Sequence, residues 1–268
     1  KTGSEGDPHA LSLVWDDKVM TPLKRAAGYH WVLGAGALLA AALLWSDPRG
    51  LPLPTWTVAA SLGVLVELVF FLGFQAETER ITFVPVTALM SYLVLGLPRA
   101  LPVLIIGLAV GGLILTAARP QPLASGAAPW WARAGDVLAV IGRSGLGLLA
   151  GDAVYRAFGA AAPLLAIRTL QETLPLIAAA AAFMAVHDLL HIISMALRRV
   201  DVRRLYRLHY PAVLGVRLLP LPLAPLAALM LAGIGLWAFL LLEASLLSAA
   251  LVVQRLAATQ DSLEAQVE

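Results

Sequence analysis

The feature that most constrains this chain is its succession of apolar runs, several of them long enough to cross a lipid bilayer. Hydrophobic residues make up 60% of the sequence and charged residues only 13%. A membrane-spanning helix needs roughly 20 mostly apolar residues, and it satisfies its own backbone hydrogen bonds where lipid offers no partners. The runs are continuous rather than alternating, which argues against a transmembrane barrel. We therefore predict an all-α, polytopic transmembrane bundle in a lipid bilayer.

Polar breaks and turn residues divide the runs into about eight predicted spans. These spans are 30–45, 55–74, 81–97, 100–118, 136–158, 173–197, 211–233 and a last helix from residue 235 onward. Several prolines in the seventh predict a kinked or partly non-helical first half. Gly233 and Gly235 predict a turn into the eighth, although no polar loop separates the two.

The chain is divided accordingly into three parts. Residues 1–28 are expected to form a polar leader and an interfacial segment, and residues 29–253 the membrane bundle. Residues 254–268 are expected to start a cytoplasmic helix. Cysteine is absent from the sequence, which excludes disulfides and thiolate ligands.

Basic residues predict the orientation of the bundle, because loops on the cytoplasmic side of a membrane are enriched in Lys and Arg. With both termini cytoplasmic, the inside segments hold Lys18, Lys24, Arg25, Arg80, Arg119, Arg133, Arg198, Arg199, Arg203, Arg204, Arg207 and Arg255. The outside segments then hold only Arg49, Arg99, Arg156 and Arg168. This bias explains the basic residues as topology signals, so we expect no nucleic-acid partner.

The motif HDLLH in the sixth span is the most concentrated polar cluster. His187 and His191 are four residues apart and share one helical face, where they can bind a metal or haem, with Asp188 as a supporting carboxylate. Two histidines do not complete a zinc site, and the glutamate of a metalloprotease HExxH motif is missing. The alternative is that these residues hydrogen-bond to neighbouring helices. His30 and His209 are further possible ligands, and no cofactor is identified.

Ionisable residues at membrane depth form the second group of candidates. Such residues are costly in lipid, so they usually pair inside the bundle or line a polar cavity. We expect Glu67 or Glu243 to pair with Arg143 or Arg217. The complete set of candidate ligand-binding or buried polar residues is Glu67, Arg143, Asp152, His187, Asp188, His191, Arg217 and Glu243.

The last helix changes character after its apolar part. Val252, Leu256, Thr259 and Leu263 follow a 4-3-4 spacing that approximates the seam of a coiled coil. From Arg255 onward acidic residues outnumber the single arginine, which disfavours a helix lying on an anionic membrane surface. We expect this helix to continue into the cytoplasm as a coiled-coil linker and to pair in a homodimer.

At residues 252–268 the sequence VVQRLAATQDSLEAQVE resembles the signalling-helix linker of bacterial histidine kinases, cyclases and HD-type phosphodiesterases. In those proteins the linker joins a multi-span membrane sensor region to GAF, PAS or catalytic domains. Residues 81–114 are similar to the repeated pattern of such regions, a short span, a corner from Gly96 to Ala100 and an apolar helix. His187-Asp188 stand where many of these proteins have an asparagine, so no site residue is carried over.

The resemblance implies a dimeric sensory module in the bacterial inner membrane, of the kind found in two-component systems. It would pass a ligand or membrane signal through its last helix to a cytoplasmic output domain in cis that is absent from this chain. The chain itself shows no nucleotide-binding loop, nucleophile elbow or dinucleotide fingerprint, so no catalytic domain is expected within it. The alternatives are a small-solute transporter or substrate-binding membrane subunit, and a metal-dependent intramembrane enzyme that uses HDLLH.

Overall fold

The computed structural model describes residues 17–45, 53–76, 79–118, 130–167, 169–200, 218 and 220–267. These residues form eight α-helices, with a short antiparallel hairpin between the second and third. The helices are α1 (Asp17–Leu43), α2 (Leu53–Phe71), α3 (Val84–Leu95), α4 (Leu97–Ala118), α5 (Trp130–Ala157), α6 (Thr173–Leu197), α7 (Leu223–Gly233) and α8 (Leu236–Val267). The hairpin strands are β1 (Phe74–Ala76) and β2 (Glu79–Ile81), and a 3-10 turn covers Leu170–Glu172.

Five of these helices are long and apolar enough to cross a membrane. The five segments are Lys24–Leu43, Leu97–Leu115, Arg133–Ala157, Thr173–Leu197 and Leu236–Leu256. The prediction of an all-α, multi-pass membrane chain is therefore confirmed. The first helix begins at Asp17, so from that residue onward the predicted interfacial segment is continuous with the first span.

Three predicted spans correspond to shorter apolar helices. The apolar part of α2 is Thr55–Phe71, and α3 and α7 have 12 and 11 residues. At 1.5 Å per residue, α3 extends only about 18 Å, against a hydrocarbon thickness of roughly 30 Å. The helix α3 alone does not reach from one membrane surface to the other, and this corrects the expectation for the third span. The seventh predicted span is described only from residue 220 onward, apart from residue 218, and within that part it forms the 11-residue helix α7. Most of the proline-rich stretch before α7 lies outside the described residues.

Glycine and proline set the ends of the short helices. Pro85 occupies the first turn of α3, where the missing N–H is not needed. Gly96 ends that helix with a φ of 75°, a left-handed conformation that favours glycine. Gly235, with a φ of 112°, separates α7 from α8. The predicted turn between the last two helices is thus confirmed.

The short helix α3 lies at the centre of the core. It contacts α2, α4, α5 and α7, and nearly all of its side chains are buried. On one side of the bundle, α5 packs against both α1 and α6, and on the other α2 packs against α4. The last helix, α8, contacts α2, α7 and β1 and lies at the edge of the bundle.

Two glycine pairs allow helices to approach closely. A Cβ on Gly107 would lie 2.7 Å from the carbonyl oxygen of Gly63 in α2, and Gly111 faces the same helix. Gly147 and Gly151 face α6 in the same way. The two glycines of each pair are four residues apart, a spacing that allows close packing of transmembrane helices. Here both pairs pack against another helix of the same chain.

Candidate functional site

A cluster of polar side chains joins α1, α5 and α6 near one end of the bundle, and we refer to it as the polar cluster. His30 Nε2 lies 2.5 Å from Ser194 Oγ, and His30 Nδ1 lies 3.6 Å from the Asp136 carboxylate. Asp136 also forms an ion pair with Arg198. A further contact joins Arg143 to His191 Nδ1. The complete cluster is His30, Asp136, Arg143, His191, Ser194 and Arg198.

The helix ends explain why these residues meet. His30 lies at the middle of α1, Asp136 lies in the second turn of α5, and Ser194 and Arg198 lie at the end of α6. The first half of α1, the start of α5 and the end of α6 therefore lie toward the same end of the bundle. Tyr29 strengthens the contact between α1 and α6, because its hydroxyl donates a hydrogen bond to the Leu190 carbonyl oxygen at 3.1 Å.

Burial separates the inner and outer members of the polar cluster. His30, His191 and Ser194 are buried, whereas the Asp136 side chain is 56% exposed. With two guanidinium groups and one carboxylate, the cluster has an excess of positive charge even when both histidines are neutral. The buried hydrogen bond between His30 and Ser194 fixes α1 on α6, and the exposed ion pair connects α6 to α5.

Of the three polar residues in HDLLH, only His191 belongs to the polar cluster. The ring of His187 lies 6.0 Å from that of Phe183, and its Nδ1 lies 3.3 Å from the Asp188 carboxylate. Across the described ranges, no three His, Cys, Asp or Glu side chains are grouped so that they can hold a metal ion. The alternative was that the motif hydrogen-bonds to neighbouring helices. The contact between His191 on α6 and Arg143 on α5 supports that alternative.

Asp152 lies in a second polar contact, between α3 and α5. Its carboxylate accepts a hydrogen bond from the Tyr92 hydroxyl at 2.9 Å and pairs with the Arg156 Nε at 2.8 Å. The ring of Tyr92 also meets that of Tyr155 edge-on, with centroids 6.1 Å apart. Tyr92 is 1% exposed, so the hydrogen bond is enclosed in the core.

Glu243 lies in a third place, on α8 beside α2. Its Oε1 lies 3.4 Å from the hydroxyl oxygen of Ser61, whose single proton has a nearer acceptor in the Val58 carbonyl oxygen at 3.0 Å. Glu243 and Ser61 line a groove of about 600 Å³ between the helices, which we call the α2–α8 groove. Most of its other walls are apolar, with Val64 and Leu68 from α2 and Leu240 and Leu247 from α8.

We expected Glu67 or Glu243 to pair with Arg143 or Arg217, but Arg143 has a histidine as its partner. Arg143 contacts His191 on α6, and in the described structure no ion pair joins it to Glu67 or Glu243. Glu67 is half-buried on α2, where Gly111 of α4 approaches its backbone. Arg217 lies outside the described residues.

Sequence reasoning missed several partners in these contacts. Ser194, Tyr92 and Ser61 have no signal of their own, since a serine or tyrosine in an apolar helix is usually a packing residue. Asp136 is the first residue of the predicted fifth span, where a charged side chain does not need a partner inside the bundle. His30 did carry a signal, because a histidine inside a predicted span is costly unless it is paired.

The contact between His30 and Ser194 gives a first testable prediction. We expect Ser194→Ala to lower the stability of the folded chain by about 1–2 kcal/mol, because it leaves a buried ring nitrogen without this partner. Ser248→Ala is the matched control, since the exposed Ser248 hydroxyl bonds only to the carbonyl oxygen of Ala244 on its own helix. Thermal unfolding in detergent measures both, and equal midpoints for the two variants contradict the assignment.

No model of a protein family matches this chain, nor does a curated protein or a solved structure. The geometry of the helices and their polar contacts is therefore the basis for the function considered next.

Proposed function

We propose that this chain is a membrane-embedded sensory input module whose last helix passes a signal to a cytoplasmic output domain. The observation that carries the proposal is the form of α8. It is continuous over 32 residues, about 48 Å, whereas only Leu236–Leu256 qualifies as a span. One rigid element therefore leads from the bundle core and the α2–α8 groove to the polar segment beyond the membrane.

The first half of α8 presents one face to the bundle. The inner stripe consists of Phe239, Glu243, Leu246 and Ala250, all buried. Their 4-3-4 spacing keeps them on a single side of the helix. Any repacking of the bundle against this stripe acts directly on the orientation of α8.

Another face of α8 is exposed as far as Thr259. The outer stripe consists of Ser245, Ala249, Val252, Leu256 and Thr259, all exposed. Within the span it offers the small residues Ser245 and Ala249, which permit a second helix to approach closely. Farther along, it contains three of the four residues of the seam predicted from sequence. This arrangement supports pairing of α8 with α8 of a second copy.

The orientation of the bundle follows from the same contacts together with the distribution of basic residues. The polar cluster brings the first half of α1, the start of α5 and the end of α6 toward the same end of the bundle. Of the residues that the charge bias assigns to the inside, Lys24, Arg25, Arg133, Arg198 and Arg199 belong to these parts of the helices. We place this end of the bundle in the cytoplasm of a bacterium, with both termini on that side of the inner membrane.

Single-cysteine cross-linking tests the pairing on a chain that has no natural cysteine. In membranes, Val252→Cys, Leu256→Cys, Thr259→Cys and Leu263→Cys are each expected to form intermolecular disulfides under mild oxidation. Gln254→Cys and Asp261→Cys are the matched controls, because they lie two residues from seam positions and face away from the seam. A disulfide requires Cα atoms within about 7 Å, so the controls are expected to react several times less.

Two outcomes of this experiment contradict the proposal. Equal cross-linking at seam and control positions shows random collision, and absence of cross-linking at every position shows that α8 does not pair.

A transport function is the second candidate, because α3 and α7 are half-length helices that contact each other inside the bundle. Discontinuous helices of this kind form substrate sites in many transporters. The polar groups of α3 do not support such a site: the Thr87 and Ser91 hydroxyls donate to carbonyl oxygens of their own helix. The sensory function has the stronger support.

A further inference from the structure

The α2–α8 groove combines one carboxylate with mostly apolar walls. Glu243 is 6% exposed, and its Oε1 lies 3.4 Å from the Ser61 hydroxyl oxygen. Among the described residues no Lys, Arg or His forms an ion pair with it. A carboxylate in such surroundings is unfavourable unless a cation or a strong hydrogen-bond donor compensates its charge. Among the described residues the groove thus offers this carboxylate a hydroxyl at 3.4 Å and no cation.

The position of Glu243 along α8 gives its depth in the membrane. It is seven residues from Leu236, the first residue of the span, or about 10 Å along the helix axis. Ser61 is six residues from Thr55, where the apolar part of α2 begins, and is therefore at a similar depth. Both polar groups lie inside a hydrocarbon layer roughly 30 Å thick.

The two helices run parallel beside the groove. Glu243 is level with Ser61, and β1, which follows the end of α2, also contacts α8. The short part of α8 before Glu243 cannot reach that far, so β1 contacts the part after it. Leu68 and Leu247 consequently line the groove toward the middle of the membrane, whereas Glu243 and Ser61 lie closer to its surface.

The groove is open to the lipid phase. Val64, which lines it from α2, is 53% exposed, and Ala244, which lines it from α8, is also exposed. Its volume of about 600 Å³ falls in the usual range for sites of small molecules. A molecule dissolved in the bilayer can therefore enter sideways without crossing the protein.

We propose that the α2–α8 groove binds a single-chain amphiphilic amine from the membrane. Its ammonium group pairs with Glu243 and the Ser61 hydroxyl, and its hydrocarbon chain lies along Val64, Leu68 and Leu247. The charge of Glu243 favours a free amine over a phospholipid, because the phosphate of a phospholipid would be repelled by the carboxylate. Binding connects α2 to the inner stripe of α8, so the amine acts as an input signal if the proposed sensory function holds.

Photolabelling tests the site directly. The full chain is reconstituted in phosphatidylcholine vesicles and labelled with a diazirine analogue of dodecylamine, and the labelled residues are located by mass spectrometry. We expect label in the groove, about tenfold less in Glu243→Gln because a charge-assisted hydrogen bond is lost, and unchanged label in Glu67→Gln. The diazirine analogue of dodecanol, equal in length but uncharged, is expected to label the groove as weakly as the amine labels Glu243→Gln.

Three results overturn the proposal: equal labelling of Glu243→Gln and wild type, equal labelling by amine and alcohol, or competition by phosphatidylethanolamine added to the vesicles. Circular dichroism shows whether Glu243→Gln is still folded. If it is not, the labelling of Ser61→Ala by the amine analogue decides the question instead. Failure of binding leaves the cross-linking of α8 untouched, so the site and the proposed function are judged separately.

Discussion

Gly142→Ala is expected to destabilise the folded chain by about 2 kcal/mol in net terms. A Cβ at this position would lie 2.5 Å from the Leu33 Cβ and 2.6 Å from the Leu33 carbonyl carbon. The second of these is a backbone atom of α1, which moves only with its whole helix. Overpacking of this kind costs about 3 kcal/mol, and the better helix propensity of alanine offsets about 1 kcal/mol of it.

The matched control for this substitution is Gly36→Ala on α1. No atom lies within 4 Å of the position that its Cβ would take. We expect this variant to be neutral or more stable by up to about 1 kcal/mol, through helix propensity alone. Unfolding in mixed micelles with increasing dodecyl sulfate gives both free energies. If the two variants are equally stable, α1 and α5 are not packed as described.

Asp152→Ala is expected to cost about 2–3 kcal/mol, because it leaves the buried Tyr92 hydroxyl without the acceptor it uses in the described structure. Arg156 adds little to this cost, since its side chain is 64% exposed and can reach water or headgroups. Asp152→Asn is expected to cost less, because the amide oxygen still accepts the hydrogen bond from Tyr92.

A double-mutant cycle isolates the contact between Asp152 and Tyr92. Tyr92→Phe removes the donor, so adding it to Asp152→Ala should change the stability far less than it does in the wild type. The coupling is read from the free energies of unfolding of the four proteins. Strict additivity of the two substitutions would show that the hydrogen bond does not form in the membrane-embedded chain.

The fold was predictable wherever a long apolar run determines a helix. The bounds of α6 agree with the sequence prediction at both ends, because polar residues and turns border that run. The start of α1 was not predicted, since Lys18, Lys24 and Arg25 interrupt the apolar pattern without interrupting the helix. The length of α3 was overestimated because Phe83 and Leu97 are as apolar as the helix that they flank.

The polar contacts were predictable only in part. The cost of burying a carboxylate in an apolar span is enough to identify Asp152 and Glu243 as candidates. Their partners depend on tertiary packing: Tyr92 is 60 residues from Asp152, and Ser61 is 182 residues from Glu243. A single sequence contains no record of such distances. The contact between His30 and Ser194, which are 164 residues apart, was missed for the same reason.

The glycine before the last helix gives α8 the properties of a lever. Gly235 adopts a left-handed conformation, and a Cβ there would meet no atom within 4 Å, so it can serve as a fulcrum. Glu243 is eight residues from this point and Val267 is 32, or about 12 Å and 48 Å along a rigid helix. A sideways displacement of 1 Å at the α2–α8 groove, if the helix pivots as a unit, becomes one of about 4 Å at the far end. A small displacement at the groove would thus become, at the end of α8, a movement comparable to the spacing between packed side chains.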